Sequence, residues 1–138
     1  MKPYKFIDDL TSDVMFEARG RTLSEVFTNA AIALFDIIAQ VDKVKAEKPV
    51  KVTVKGETLE DLMFNWLQEL ITLVDTENMF FSRFDVDINE KEKKLDAVCY
   101  GEDAKPEKSG TLVKAVTYYK YKFEKTKSGY RVIVSLDI

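Results

Sequence analysis

Two segments of the chain carry more apolar faces than a surface helix needs. The first repeats apolar residues at three- and four-residue spacing behind a Thr22–Glu25 capping box, which predicts a helix near residues 23–40. The second predicts a helix near 59–75, with Thr58 as its N-cap. Apolar residues off the main stripes are Ala31, Ala33, Phe35, Phe64, Ile71 and Leu73. Helices that are apolar nearly all round are typical of buried elements, so we expect other layers to cover both.

Most of the remaining chain alternates apolar and polar residues with a period of two, as β-strands do. Such runs lie near residues 14–18, 50–54, 80–88, 95–99, 119–123 and 130–136. The strands are mostly consecutive towards the end of the chain, which favours an antiparallel α+β fold over a doubly wound parallel sheet. We expect one domain over residues 1–138, in which the two apolar helices form a layer between mostly antiparallel β-sheets. This arrangement buries Trp66, and a long loop is expected near 101–112.

The composition excludes several classes of enzyme site. The 138 residues include no His, which rules out Ser-His-Asp and Cys-His nucleophile pairs and HExxH zinc sites. The single Cys99 cannot form an internal disulfide or a thiolate cage for a metal. Neither a GxxxxGK(S/T) loop nor a GxGxxG turn occurs, so the sequence contains no recognisable nucleotide-binding motif.

The distribution of charge and of apolar runs bears on the location of the protein in the cell and on its binding partners. Asp8 and Asp9 stand where the apolar core of a signal peptide would run, and no uncharged run is long enough to span a membrane, so we expect a cytoplasmic protein. The net charge is −3, yet residues 105–131 contain eight basic and two acidic side chains. Solvated lysines on exposed strands explain this segment most simply. The aromatic residues at 118–123, interleaved with lysines, leave an RNA-binding face as an alternative.

Carboxylates near both ends of the sequence are the remaining candidates for functional groups. Asp13 closes an acidic cluster at the first strand break, where turn formation alone explains such residues. Asp137 follows the apolar strand near 130–136 and precedes Ile138. If that strand is docked, the side chain of Asp137 and a terminal carboxylate are held in place. Together with Asp13 they form a set of hard oxygen ligands suited to Ca²⁺, Mg²⁺ or Mn²⁺.

Several short blocks follow one another along the chain with consistent spacing. They are Phe6-Ile7, Asp9-Leu10-Thr11-Ser12-Asp13-Val14, Gly20-x-Thr22-Leu23-x-Glu25-x-Phe27, Leu59-Glu60-Asp61-Leu62 before Trp66-Leu67, Tyr100-Gly101-Glu102, Val113-Lys114-Ala115-Val116-Thr117-Tyr118 and Leu136-Asp137-Ile138. In this order they resemble the archease family, and the last two blocks are the most specific. The resemblance covers essentially the whole chain.

The resemblance implies a protein cofactor with no catalytic residues of its own. Archease proteins activate the RNA-splicing ligase that joins tRNA halves and other RNA ends carrying a cyclic phosphate or a 3′-phosphate. The implied role is to promote guanylylation of the ligase's catalytic histidine, to support its turnover and to broaden the nucleoside triphosphates that it accepts. The implied partner is the catalytic subunit of the ligase, through which RNA ends are met indirectly. We expect no membrane contact and no tight direct binding of nucleic acid.

The resemblance also implies a divalent metal site. Ca²⁺ is the expected ion, with Mg²⁺ or Mn²⁺ as alternatives. Matched position by position, its ligands are Asp13, Asp137 and Ile138, the last through a main-chain or terminal oxygen. We add Lys114 as a candidate contact to the partner's nucleoside triphosphate, against the simpler interpretation of a solvated strand lysine.

Some positions depart from the family pattern, and two other functions are left open. Leu10 and Tyr119 stand where the family often has His, and Ser12 replaces its usual Ala, so the geometry of the first loop is not carried over. One alternative is a stand-alone metal-dependent hydrolase of phosphate esters, for which no His is available as a general base. The other is an RNA-binding or chaperone-like module that uses the basic segment 105–131.

Overall fold

The computed structural model describes residues 3–7 and 14–138. Within them, seven strands and two α-helices follow one another along the chain. Their bounds are β1 Tyr4–Ile7, β2 Val14–Gly20, α1 Leu23–Ile38, β3 Lys48–Lys55, α2 Leu59–Glu77, β4 Met79–Asn89, β5 Lys94–Asp103, β6 Ala115–Thr126 and β7 Gly129–Asp137. Two short 3₁₀ turns, Val41–Lys43 and Pro106–Lys108, complete the described elements.

The described strands form two antiparallel sheets. The first has the order β1-β2-β7-β6, and the second has the order β3-β5-β4. In the first sheet, Phe16 of β2 pairs with Val134 of β7. In the second, Ala97 of the central strand β5 pairs with Val52 on one side and Val86 on the other. The expected α+β class with antiparallel sheets is confirmed.

Local sequence signals explain where the two helices begin and end. Glu25 N–H donates to the Thr22 side chain at 3.1 Å, and Asp61 N–H donates to the Thr58 side chain at 3.1 Å, as the caps predict. α2 ends at Asn78, whose φ of 51° is left-handed, a conformation that Asn tolerates at the end of a helix. The predicted bounds near 23–40 and 59–75 lie within two residues of the observed ones.

The helices pack against both sheets, as their all-round apolar surfaces require. α1 contacts β2 and β7 of the first sheet and β4 of the second, whereas α2 contacts β6 of the first sheet and β3, β4 and β5 of the second. Trp66 is fully buried between these layers, and its indole N–H donates to the carbonyl oxygen of Phe27 at 3.0 Å. Its ring also meets Phe84 of β4 edge-on. The prediction that Trp66 is buried in a layer between two sheets is confirmed.

The expected long loop over 101–112 is wrong at its start. Gly101–Asp103 are the last residues of β5, because they pair with β3 and β4. The remainder is tied to the end of α1: Gly110 N–H donates to the Ile38 carbonyl and Thr111 N–H donates to the Ile37 carbonyl, each at 2.8 Å. These pairings join residues far apart in sequence, so local composition did not reveal them.

No helix among the described residues is both long enough and apolar enough to cross a membrane.

Replacing Trp66 tests the packing of the helix layer. Trp66→Ala should lower the free energy of unfolding by about 3–5 kcal/mol, because it leaves a cavity in the core. Trp66→Phe should cost less but still about 1–3 kcal/mol, because the Phe27 carbonyl loses a buried donor. Urea unfolding followed by far-ultraviolet circular dichroism measures both, since the only Trp is removed. The control Lys51→Ala, on the exposed side of β3, should stay within about 0.5 kcal/mol of the parent protein. A cost below about 1 kcal/mol for Trp66→Ala would contradict this account.

Candidate functional site

One end of the first sheet brings the end of β7 between the beginnings of β2 and β6. Val14 of β2 pairs with Leu136, and Ala115 of β6 pairs with Asp137. The main-chain N–H of Lys114 donates to the carbonyl oxygen of Asp137 at 2.7 Å. Lys114 and Asp137 are therefore neighbours, although the whole β6–β7 hairpin separates them in the sequence.

The end of β7 presents oxygen atoms that suit a hard cation. The side chain of Asp137 is exposed and forms no ion pair within the described part of the chain. Since the Asp137 carbonyl accepts from Lys114, the candidate ligands here are the Asp137 carboxylate and the main-chain oxygen of Ile138, a residue that is 41% exposed. Carboxylate and carbonyl oxygens are ligands that Ca²⁺ and Mg²⁺ prefer, so this donor set fits the predicted class of metal.

Asp13 lies outside the described residues. Val14, the residue that follows it, begins β2 beside Leu136. Within residues 3–7 and 14–138, no group of three or more His, Cys, Asp or Glu side chains is placed to hold a metal ion. The predicted metal site on Asp13, Asp137 and Ile138 therefore stays a prediction, for which Asp13 has to supply the second carboxylate.

Lys114 places a positive charge next to this end of β7. Its side chain is exposed, and its ammonium group forms no ion pair with another described residue. Nearby residues are better held, because Val113 is buried and the main-chain N–H of Val116 donates to the Gln68 side chain at 3.1 Å. A fixed main chain with an unpaired cation leaves Lys114 available to an anionic group from a partner.

A buried carboxylate holds the loop that leads into Lys114. Glu102 is 4% exposed and accepts hydrogen bonds from the ammonium groups of Lys108 at 2.8 Å and Lys105 at 3.0 Å. The main-chain N–H of Lys45 donates to it as well. The preceding position, Gly101, requires a glycine because a Cβ there would lie 1.9 Å from the carbonyl oxygen of Phe80. The Tyr100-Gly101-Glu102 block thus has a structural reason: close strand approach followed by an ionic anchor.

These hydrogen bonds set the charge state of the anchor. The bond from Lys108, followed by the bond from the main chain of Lys45, lowers the pKa of Glu102 to about 2. The bond to Glu102 in turn raises the pKa of Lys105. Glu102 is therefore a permanent anion near neutral pH, and it is occupied within the fold rather than available to a ligand.

Similarity to known proteins extends over the whole fold. A model of the Archease protein family (MTH1598/TM1083) matches residues 4–138. The chain belongs to the archease family. It is 36% identical to the protein archease of Sulfurisphaera tokodaii over 140 residues, which cover 100% of both chains. It is 43% identical to the protein archease of Pyrococcus abyssi over 123 residues, covering 86% of this chain and 87% of that one.

Two solved archease-like structures share the architecture. The solution structure of Methanobacterium thermoautotrophicum protein 1598 is similar with a TM-score of 0.80 and 33% identity, covering 100% of both chains. The crystal structure of a Thermotoga maritima archease, described as a possible chaperone, has a TM-score of 0.67 and 21% identity, covering 96% of this chain and 95% of that one. The second likeness supports the fold alone.

The basic segment 105–131 of this archease is largely compensated from within. Lys105 and Lys108 pair with Glu102, while Arg131 pairs with Glu17 and with Glu124. Sequence counting gives this segment a large positive charge, but it does not reveal that partners for many of these cations come from other strands. The continuous basic face considered from the sequence is therefore broken into separate exposed lysines.

Sequence reasoning also missed the ion pairs at Glu17. Glu17 lies on β2 between buried apolar neighbours and is itself 4% exposed. Burial alone would raise its pKa, but hydrogen bonds from Arg131 and Arg19 outweigh burial and lower the pKa. Alternation along β2 places Glu17 on the face opposite Phe16 and Ala18, where a charged residue is expected to be exposed, so the sequence carried no signal of its burial.

The Glu102 anchor predicts a specific dependence of stability on pH. Its pKa is lowered from an ordinary 4.5 to about 2 in the folded state, so its stabilisation is complete above about pH 4.5 and is lost as the pH falls towards about 2. The free energy of unfolding should therefore fall more steeply over this range in the parent protein than in Glu102→Gln. Lys108→Met should raise the pKa of Glu102 and move the loss to higher pH. Urea unfolding across the acid range measures all three, and parallel curves for the parent and Glu102→Gln would refute the role of Glu102.

Proposed function

We propose that this archease activates an RNA-splicing ligase by promoting transfer of GMP to the ligase's catalytic histidine. The supporting observation is the pairing of Lys114 with Asp137 at one exposed end of a sheet, with both charged side chains unpaired among the described residues. The chain has no His and no nucleotide-binding motif. Groups that position charge, in a protein with no histidine to activate a nucleophile, fit a cofactor better than an enzyme.

GMP is transferred from the nucleotide to the ligase, and the archease supplies positive charge around the reacting phosphates. In the ligase, a histidine nitrogen attacks the α-phosphorus of GTP, a P–N bond forms, and the bond to the β-phosphate oxygen breaks to release pyrophosphate. Negative charge accumulates on the leaving pyrophosphate in this step. Cationic groups placed there stabilise the transition state, which raises the rate without any chemistry on the archease itself.

A divalent metal is part of the proposal. Asp13, Asp137 and the main-chain oxygen of Ile138 would hold it, and Ca²⁺ suits these oxygen ligands, with Mg²⁺ or Mn²⁺ as alternatives. When bound, the ion supplies positive charge to phosphate oxygens. The two carboxylates compensate its charge, and the Lys114–Asp137 main-chain hydrogen bond keeps the Asp137 end of β7 in place.

Lys114 has the separate role of contacting the triphosphate. Its ammonium is a point charge at the end of a flexible side chain. It can bind any phosphate within reach, because the contact requires no fixed geometry. A contact that reads phosphate and not the base is consistent with the broader use of nucleoside triphosphates in our proposal. It is also consistent with repeated turnover, because such a contact does not retain one particular nucleotide.

The metal site is tested first by binding alone. Asp137→Asn should lower Ca²⁺ affinity by at least about tenfold. Mutation of residues that only hydrogen-bond to metal ligands already lowers metal affinity by about 10–100-fold. Asp13→Asn should have a comparable effect. Isothermal titration calorimetry on the isolated protein measures the Ca²⁺ affinity of both variants. The matched control is Asp103→Asn, an exposed aspartate paired with Lys48 at the far end of β5, which should bind Ca²⁺ as the parent does. Equal affinity in Asp137→Asn and the parent would remove Asp137 from the site.

The activating role is tested by transfer of labelled GMP from GTP to the cognate ligase. A small amount of the parent protein should increase the rate, and Asp137→Ala should abolish the increase. Lys114→Ala should reduce it by about 100-fold, the lower end of the range for removal of one charge-stabilising donor. Asp103→Ala is the control and should activate fully.

Three outcomes separate the functions considered. No increase with the parent protein would end the activator proposal. An increase that survives in Asp137→Ala would keep the role and move the site elsewhere. Hydrolysis of phosphate esters by the protein without the ligase would favour the stand-alone hydrolase instead.

A further inference from the structure

Strand β6 contains a large irregularity beyond the Lys114 end of the sheet. Its pairing with β7 runs to Thr117 opposite Ser135 and resumes at Lys122 opposite Ile133. Five steps along β6 thus match two steps along β7, so residues 118–121 bulge out of the ladder. Within the bulge, Lys120 has a φ of 51°, a left-handed conformation that a lysine rarely adopts. Bulges of this kind re-aim side chains and are common beside functional sites.

The bulge builds an ordered block of three aromatic rings on α2. The ring of Tyr118 lies parallel to that of Phe64, with centroids 4.2 Å apart and planes inclined by 7°. Tyr121 meets both rings edge-on, at 88° and 87°. Its hydroxyl donates to the carbonyl oxygen of Glu60 at 2.7 Å, which anchors the block to the first turn of α2. Rings held on several sides are oriented before any partner arrives.

The outermost ring of this block faces water. Tyr118 is 72% exposed even though one face covers Phe64, so its other face is open. By contrast, Tyr121 is largely covered, and burial, followed by the charges of Glu60 and Asp61, raises its pKa. The period-two run of Tyr119, Tyr121 and Phe123 predicts side chains that face the core. Tyr121 and Phe123 pack on the core, whereas Tyr119 is 38% exposed, and Tyr118 lies outside that run.

Positive charge borders the open ring along the same strand. Lys114 lies just before β6, and Lys122 follows Tyr118 on β6 with an exposed side chain that also pairs with Glu124 at 3.1 Å. The ammonium of Lys120 lies 5.3 Å from the centroid of the Tyr119 ring. The acidic residues Glu60 and Asp61, in the first turn of α2, lie near Tyr121. A polyanion is therefore attracted along β6 and repelled from the start of α2.

We infer that Tyr118 is a stacking platform for an unpaired base of the RNA strand that the partner ligase joins. An open aromatic face beside cations is the recurring arrangement for single-stranded nucleic acid, and it accepts any base because every base has a π-face. Aromatic anchors of protein interfaces usually lie in well-packed, desolvated pockets, whereas Tyr118 is 72% exposed and is flanked in the sequence by Thr117, Tyr119 and Lys120, none of them aliphatic. One base on one ring is a weak contact, in keeping with the absence of tight binding expected of the free protein. The inference rests on the proposed function for the identity of the RNA, but not for the contact itself.

Binding of RNA by the free protein is the first test. The probe is a short unstructured RNA with a fluorescent label, titrated at low ionic strength and followed by anisotropy. The parent protein should bind this strand better than the same sequence in a duplex, and Tyr118→Leu should weaken binding by about tenfold, within the range for loss of one base–aromatic stack. Tyr118→Phe keeps the ring and should bind as the parent does. Binding should weaken as salt is added, because lysines contact phosphates.

A matched control lies on the opposite edge of the same sheet. Phe6 of β1 is 50% exposed, and β1 and β6 are the two edge strands of the β1-β2-β7-β6 sheet. Phe6→Leu should therefore leave RNA binding unchanged. The inference is overturned if the parent shows no binding at low ionic strength, or if Tyr118→Leu and the parent bind equally.

The second test separates this inference from the proposed function. With the ligase present, Tyr118→Leu should raise the KM for RNA in the joining reaction by about the same tenfold, while the stimulation of GMP transfer measured without RNA stays at the parent level. If the parent protein fails to stimulate GMP transfer, the proposed function fails, and the platform is judged by binding alone. If Tyr118→Leu reduces GMP transfer in the absence of RNA, the ring docks the ligase protein and the RNA contact is refuted.

Discussion

The hydrogen bond from the indole of Trp66 to the carbonyl of Phe27 joins the two helices at the centre of the molecule. A fully buried indole N–H needs an acceptor, and the mid-helix carbonyl of α1 supplies one without leaving any polar group unpaired. Because both helices carry apolar residues on more than one face, each needs more than one covering surface. Two antiparallel sheets therefore cover them from opposite sides, and the rest of the structure follows from this three-layer arrangement.

The layer arrangement decides where chemistry is available. The inner faces of both sheets are used for packing, so functional side chains are left at strand ends and at irregularities. Lys114 and Asp137 meet at a strand end, where one main-chain hydrogen bond holds two charged side chains with no ion-pair partner among the described residues. Tyr118 emerges at a bulge of the same strand. The buried carboxylates Glu102 and Glu17, by contrast, are paired inside the fold, and they stabilise the frame instead of meeting a ligand.

Both helices were predictable because the relevant physics is local. Helical spacing, the Thr22 and Thr58 caps and the surplus of apolar residues all act within one or two turns. The strands were predictable for the same reason, since alternation has a period of two residues. The loop expected over 101–112 was wrong because Gly101–Asp103 pair with strands that are distant in sequence. The exposure of Tyr119 was missed because alternation assumes a regular ladder, and the bulge in β6 breaks that ladder.

The sequence by itself determined the α+β class, the two buried helices, the absence of a histidine-based active site and the membership of the archease family through its ordered blocks. It also identified Lys114 and Asp137 as candidate site residues, but it did not show that they are neighbours. Only the tertiary structure decided that neighbourhood, the ionic anchor at Glu102 and the outward ring of Tyr118. These features depend on which residues face each other across strands. The pairing of β2 with β7, which lies more than 100 residues further along the chain, and the register shift in β6 decide these contacts, and no local window of the chain contains that information.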